Sequence, residues 1–510
     1  MATEQHRGYP PLDPLRRTLV TVSLALAVFM NILDVSIANV SIPTIAGYLA
    51  VSAENGTWII TSFAVSNAIA VPISGWLARR VGEVRLFVLC TLLFTLFSWI
   101  CGLSVSFSML LVARALQGAV AGPMIPLSQS LLLSNYPPEQ HGFANGIWGM
   151  TAVVGPVAGP ILGGWITDNI NWSWIFYINV PIGLFAGWMT WMLLRERETA
   201  THRQPIDVVG LGLLIVGVAC LQIMLDKGNN HGWFGSTQIV TLGLISLVTL
   251  SFFVVWELTD DHPVVDLTLF ARRSFAVAAL AMTMGYMMFF AGIVILPLWL
   301  QTQEGYTATW AGLATSSLGI LGIVFSPVIG RLSDKVDPRL LVTVGFAVFA
   351  AVSFVNADAS TAITFGQLFR PRLLWGIGTA CFFIPLITLS LRGLHPSQLA
   401  SASGLFNFVR LLSLGFGTSI SVTLWDRWAT QHDHYLTTHL TPYSPQTQHW
   451  LDLAHALGLG PLQSLDALAR VVTRQAFMLA TNDIFWLSGW VFLLLIGVIW
   501  LAGRPARYEG

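Results

Sequence analysis

Hydrophobic residues run through this chain in long blocks separated by short polar links. The blocks fall at 18–42, 57–78, 86–105, 107–133, 142–166, 174–194, 207–226, 237–256, 275–300, 308–330, 340–357, 364–391, 398–424 and 483–503. Each is close to the ~20 residues that a helix, rising about 1.5 Å per residue, needs to cross about 30 Å of hydrocarbon. The pattern predicts fourteen transmembrane helices. In the first block, TLVTVSLALAVFMNILDVSIANVSI, Asp34 interrupts the apolar run. At about 3.6 residues per turn, Asn31, Asp34, Ala38 and Ser41 share one small, polar face. Burying a charged carboxylate in hydrocarbon is costly, so an intramembrane acid marks a candidate ion or proton path. The alternative is a structural acid neutralised by an arginine on a neighbouring helix.

Composition supports the same class. The 510 residues are 55% hydrophobic and 10% charged, with a mean hydropathy of +0.69. This is an all-α polytopic membrane protein. Formal net charge is zero, which gives no argument for nucleic acid. Cys90, Cys101, Cys220 and Cys381 all fall inside hydrophobic blocks, so no disulfide framework is implied. The N-terminal segment through Arg16 and Arg17 is too long and Pro-rich for a signal peptide, so the first block is expected to stay as an anchor.

The basic residues set an orientation. With the N-terminus inside, inner segments hold seventeen Arg and Lys residues, and outer segments hold only Lys227, Arg427, Arg470 and Arg474. The positive-inside rule therefore puts both termini in the cytoplasm. Arg114, Arg370, Arg372 and Arg410 remain at or near membrane depth.

The chain also repeats. GWLARRVGEVRL at 75–86 returns as GRLSDKVDPRL at 330–340. Arg114 and Gly118 match Arg372 and Gly376 at an offset of 258, as do Pro138, Gln140 and Gly146 with Pro396, Gln398 and Gly404. Residues 1–195 and 261–510 thus form two six-span halves, with spans 7 and 8 inserted between them in 196–260. An even insertion leaves the halves parallel, the major facilitator architecture, with a substrate site expected between them near the midplane. Loop 425–482 is the one long outer segment, and Leu462, Leu465, Leu468, Val472 and Leu479 give its second half helical amphipathic spacing. It holds five of the eleven histidines, in a spacing that does not define a metal site.

Three motifs carry chemistry. The loop after span 2, with Gly75, Arg79, Arg80, Gly82 and Arg85, pairs tight-turn glycines with cations suited to helix C-termini, and its second copy supplies Asp334. In ARALQG, Arg114 sits about seven residues from the outer end of its span, and Asp34 about nine from the outer end of span 1. Both therefore lie at about 10–14 Å depth and can meet if their helices are neighbours. An adjacent cation favours an ionised acid and loss of water favours a protonated one, so small movements there can load or release a proton. In GPVAGPILGG, Gly155, Gly159 and Gly163 permit close helix approach, Gly164 ends the run, and Pro156 and Pro160 favour a kink.

The loop after span 2 resembles the signature loop of the major facilitator superfamily, except that Arg79 stands where that family usually has an acid. GPVAGPILGG is similar to the antiporter motif of its efflux branches, and LDVSIANVSIP, NYPPEQ and WELTDDHPVVDL extend the likeness to the fourteen-span drug/proton antiporters over nearly the whole chain. The resemblance implies proton-coupled multidrug efflux across a bacterial inner membrane, with Arg114 in proton coupling, and Asp34, the only acid deep inside any span, is the expected proton-coupling carboxylate. It implies hydrophobic drugs as substrates, no cofactor beyond the proton gradient, and two partners, a periplasmic membrane-fusion adaptor and an outer-membrane channel. A substrate site is expected from Tyr286 and Phe290 in a Met-rich stretch, with sparse polar contacts from Asn31, Gln129 and Asn407. An enzyme is disfavoured, since neither H-E-x-x-H nor a P-loop occurs. The competing transport reading is a dedicated exporter of one endogenous metabolite or siderophore.

Overall fold

The computed structural model describes residues 12–51, 56, 58–201, 207–229, 231–260, 263, 265–394, 398–441 and 443–503. The regular elements among them are helical. Among the described residues, thirteen helices are each long and apolar enough to cross a bilayer. In chain order the spans are α1 (Pro14–Tyr48), α2 (Trp58–Val81), α3 (Glu83–Gly102), α4 (Phe107–Ser134), α5 (His141–Asn169), α6 (Trp174–Arg197), α7 (Val208–Lys227), α8 (Thr237–Thr259), α9 (Arg273–Thr302), α10 (Trp310–Lys335), α11 (Pro338–Asn356), α12 (Phe365–Leu391), α13 (Leu399–His439) and α14 (Pro461–Ile499). The remaining one, α5, runs 29 residues and packs along α1 and α10, completing fourteen. Local chemistry sets several ends. Pro14 opens α1, Ser106 caps α4 by accepting from Met109 N, and Thr364 with Gln367 forms a capping box on α12. Span α4 is two helical pieces meeting at Gly122 and Pro123.

Helices α1 to α6 pack on one another, as do α9 to α14, and the two groups meet along two seams. At one seam α2 lies against α13, and at the other α5 lies against α10. These exchange equivalent spans of the two halves, as a parallel repeat requires. The inserted α7 touches both groups, packing on α2 and α13, while α8 packs mainly on α7. Only 17% of the apolar window of α8 is buried, which places it at the lipid-facing periphery. Asp226 of α7 accepts from Thr61 of α2 at 2.6 Å, while Ser419 and Trp233 tie α7 and its outgoing turn to α13.

The expected loop 425–482 is mostly not loop. Helix α13 continues to His439 and α14 already begins at Pro461, with a short helix Pro445–Ala456 between them. No Gly or Pro interrupts 418–439 or 462–482, so nothing in the chain stops either helix. The pair is braced where Trp425 donates to Thr481 at 2.9 Å and His432 meets Asp483 at 2.6 Å. Arg474 bonds Glu304 and the Thr361 carbonyl. Of the anticipated amphipathic stripe, Val472 is buried, but Leu462 and Leu465 are 82% and 53% exposed.

Candidate functional site

Asp34 lies in the middle of the first six-helix group with no exposed surface. Arg114 of α4, also fully enclosed, donates Nη1 to Asp34 Oδ2 at 2.5 Å. The other carboxylate oxygen, Oδ1, accepts from Gln117 Nε2 at 3.1 Å and from Asn179 Nδ2 at 2.8 Å. Asn179 on α6 also donates to Ser98 Oγ of α3, at 2.9 Å. Arg114 is held by its Nε to the Ile59 carbonyl at 3.1 Å and by Nη1 to Gln117 Oε1 at 2.8 Å, with its plane over Phe63 at 4.4 Å. Five helices thus converge on one ion pair out of water. A pair in that setting survives only with good geometry and further hydrogen bonds, and both are present. Breaking either partner leaves an uncompensated charge, so the pair can respond strongly to a proton or to a small shift of α1 against α4.

Contacts join the halves at the face that carries most of the arginines. Arg79 Nη1 donates to Ser401 Oγ of α13 at 2.7 Å. A Cβ on Gly75 would collide with Ser401 backbone, at 2.8 Å, so α2 and α13 touch there. At the other seam Asp334 accepts from the amides of Gly142 at 2.6 Å and Phe143 at 3.1 Å. Helix α5 has no side-chain cap of its own, so Asp334 caps it from the opposite half, and a carboxylate suits a helix N-terminus. Gly142, Gly146 and Gly330 give the space for that approach. The two equivalent positions therefore both latch the halves, one as a cation on a hydroxyl and one as an acid on backbone amides. Arg85 and Gly82 serve a different contact. Glu198, the residue after α6, accepts from the amides of Val84 and Arg85, and Gly82, at φ +98°, leaves room for it. Arg80 is exposed and lies 5.4 Å from the Trp76 ring.

The sequence profile of the Major Facilitator Superfamily matches residues 24–418. The chain belongs to the Major Facilitator Superfamily. It is 49% identical to the Multidrug export protein EmrB of Haemophilus influenzae, covering 98% of each chain. It is 46% identical to the Fatty acid resistance protein FarB of Neisseria gonorrhoeae, over 98% of this chain and 99% of that one. The human organic anion transporter MFSD10 superposes over 96% of this chain and 100% of its own, with a TM-score of 0.60 at 12% identity, which is a likeness of fold. This protein is accordingly a membrane transporter and not an enzyme.

In this facilitator-superfamily transporter the glycines of the GPVAGPILGG run lie against α1. A Cβ on Gly155, Gly159 or Gly163 would overlap Ile32, Ser36 and Ile37 in turn, so α5 rides directly on the helix that carries Asp34. Gly164 has nothing near it. The side chains of Pro156 and Pro160 lie outside the described residues, and α5 is helical throughout. The anticipated substrate residues divide into three places. Asn31 is buried and donates to the Ala121 carbonyl at 3.0 Å, which fixes α1 to the bend in α4. Gln129 and Asn407 come together through Ser403, which donates to Gln129 Oε1 and lies 3.3 Å from Asn407 Nδ2, so this chain of polar groups crosses the seam. Tyr286 and Phe290 are half-buried on α9, their rings 4.7 Å apart, with Arg410 5.8 Å from the Tyr286 ring.

Sequence reasoning missed Gln117, Asn179 and Ser98. Gln117 was detectable, being one turn after Arg114 in ARALQG. Asn179 and Ser98 gave no such sign, because single small polar residues are common in membrane helices. Ser401 and Glu198 were also invisible, since each acts only through a partner remote in sequence.

Proposed function

We propose that this transporter exports hydrophobic drugs and toxic compounds across a bacterial inner membrane in exchange for protons. Asp34 is the proton carrier, and Arg114 sets when it is loaded. The observation that carries the reading is the fully buried Asp34–Arg114 pair, wired to Gln117 and Asn179 inside one half. A proton-driven exchanger needs a titratable group at that depth, and intramembrane acids serve in such relays. The efflux assignment is supported by the names of two relatives, a multidrug exporter and a fatty acid resistance protein. Both termini lie in the cytoplasm, on the arginine-rich face. The latches of Arg79 and Asp334 then close the cytoplasmic side, and they must part for substrate to enter.

The projecting ends of α13 and α14 suit a periplasmic membrane-fusion adaptor, which in turn engages an outer-membrane channel. Tyr443, Leu457 and Leu462 are each more than four-fifths exposed there and offer apolar contacts to such a partner. The test uses purified protein in vesicles containing a pH-sensitive dye. Drug addition releases protons from the native chain, and Asp34→Asn abolishes that release. Persistent release in the variant refutes the assignment. Growth of expressing cells against a panel of unrelated toxins separates a multidrug exporter from a dedicated one, which protects against a single chemical type.

A further inference from the structure

The two halves treat their buried cations differently. At the offset of 258 that relates the halves, Arg114 corresponds to Arg372 and Asp34 to Gly292. Arg372 is fully buried and donates Nη2 to the Gly292 carbonyl at 2.8 Å, the position that holds the carboxylate in the first half. Its Nε and Nη1 have no partner among the described residues. Arg410, on α13, is 6% exposed, and its Nε likewise lacks a partner. No ion pair to either arginine occurs among the described residues. The second half therefore keeps two cations out of water without an acid, an arrangement that an anionic ligand relieves.

Of the two, Arg410 is placed to meet a transported molecule. It lies one helical turn beyond Asn407, which continues the Gln129–Ser403 link across the seam between halves. Its guanidinium lies 5.8 Å from the ring of Tyr286, which is 4.7 Å from Phe290 and 5.5 Å from Phe383. A cation at the edge of an aromatic wall fits an amphipathic anion, with its head on the guanidinium and its body along the rings.

We propose that Arg410 is the specificity-determining residue that binds the carboxylate of an amphipathic acid, whose apolar body rests on Tyr286 and Phe290. This deepens the export reading above and rests on it. Arg372, bonded to Gly292 six residues further along α9 than Tyr286, adds to the positive potential that draws such an anion into the second half.

The experiment compares 4-hexylbenzoate with its uncharged isostere 4-hexylbenzamide, binding to the full chain in lipid nanodiscs. Arg410→Gln should weaken benzoate binding by about tenfold or more, since a buried charge loses its partner, and benzamide binding by less than about twofold. Arg410→Lys keeps the charge and should stay within about threefold of native for benzoate. Asn407→Asp puts a carboxylate one turn from Arg410 without removing it, and should also weaken the benzoate selectively. This second route holds even if Arg410→Gln folds poorly. Equal weakening of acid and amide, or no change in the acid, overturns the proposal. So does failure of the native chain to bind the benzoate. Drug-driven proton release by the same purified native chain reconstituted in closed vesicles, measured alongside, tells that failure apart from failure of the export reading.

Discussion

Replacing Asp34 by asparagine removes one charge and little volume, yet it should be among the most disruptive single changes in the first half. Arg114 would remain at 0% exposure, held by the Ile59 carbonyl and Gln117, with Nη2 already unpartnered. Leaving one member of a buried pair alone costs about 3–5 kcal/mol, or roughly two to four decades in a folding equilibrium. Arg114→Gln strands the carboxylate instead and should cost a similar amount. Asp34→Asn with Arg114→Gln leaves two amides that can bond each other and Asn179, so the double variant should recover most of the loss. Thermal unfolding of the four proteins in one detergent gives the coupling between the sites, expected to exceed either single loss, at about 3 kcal/mol or more. Additive losses would show that the pair is not the energetic unit. The double variant should be stable yet unable to exchange protons. Proton exchange by that stable variant would remove Asp34 from the mechanism.

Asp334→Asn should weaken the cap on α5 by about 1 kcal/mol and favour opening at the arginine-rich face, read as faster labelling of an engineered cysteine near Gln129 by an impermeant thiol reagent. Gly159→Ala should force α5 away from Ser36 on α1, lowering stability by about 1–3 kcal/mol and slowing exchange. Unaltered unfolding would mean that the helices have slack there. Burial by itself raises the Asp337 carboxyl, but the Arg339 guanidinium and amide hold it below the usual range. A carboxylate held low stabilises above its unfolded value and loses that contribution as pH falls through its folded one. Asp337→Asn should therefore flatten the stability profile below about pH 4 and change it little at pH 7. Replacing 436–462 with a short linker should spare exchange in vesicles while removing resistance in cells and co-purification of the adaptor. Retained co-purification would place the docking surface elsewhere.

Fourteen apolar blocks, the positive-charge asymmetry and the 258-residue repeat were all legible along the chain, because bilayer thickness and duplication write themselves into length, charge and spacing. The acid in span 1 was legible for the same reason, since a carboxylate among Leu, Val and Ile is conspicuous. Depth arithmetic even put Asp34 level with Arg114. It carried no information on Asn179 or Ser98, whose roles follow from how α3 and α6 pack on α1. The end of span 13 was missed because a hydropathy block stops where apolar residues stop, whereas a helix stops where its backbone is interrupted, and α13 is not interrupted before His439. The loop motif showed that residues 75–86 and 330–340 were equivalent, but not what they touch. Only the packing of α2 on α13 and α5 on α10 made Arg79 a partner of Ser401 and Asp334 a cap for α5. The same holds for Arg410, which in the sequence is simply one of four arginines near membrane depth. Spacing within a helix is local and can be read from the chain. Contact between distant helices depends on how whole faces fit, and only the tertiary structure decides that.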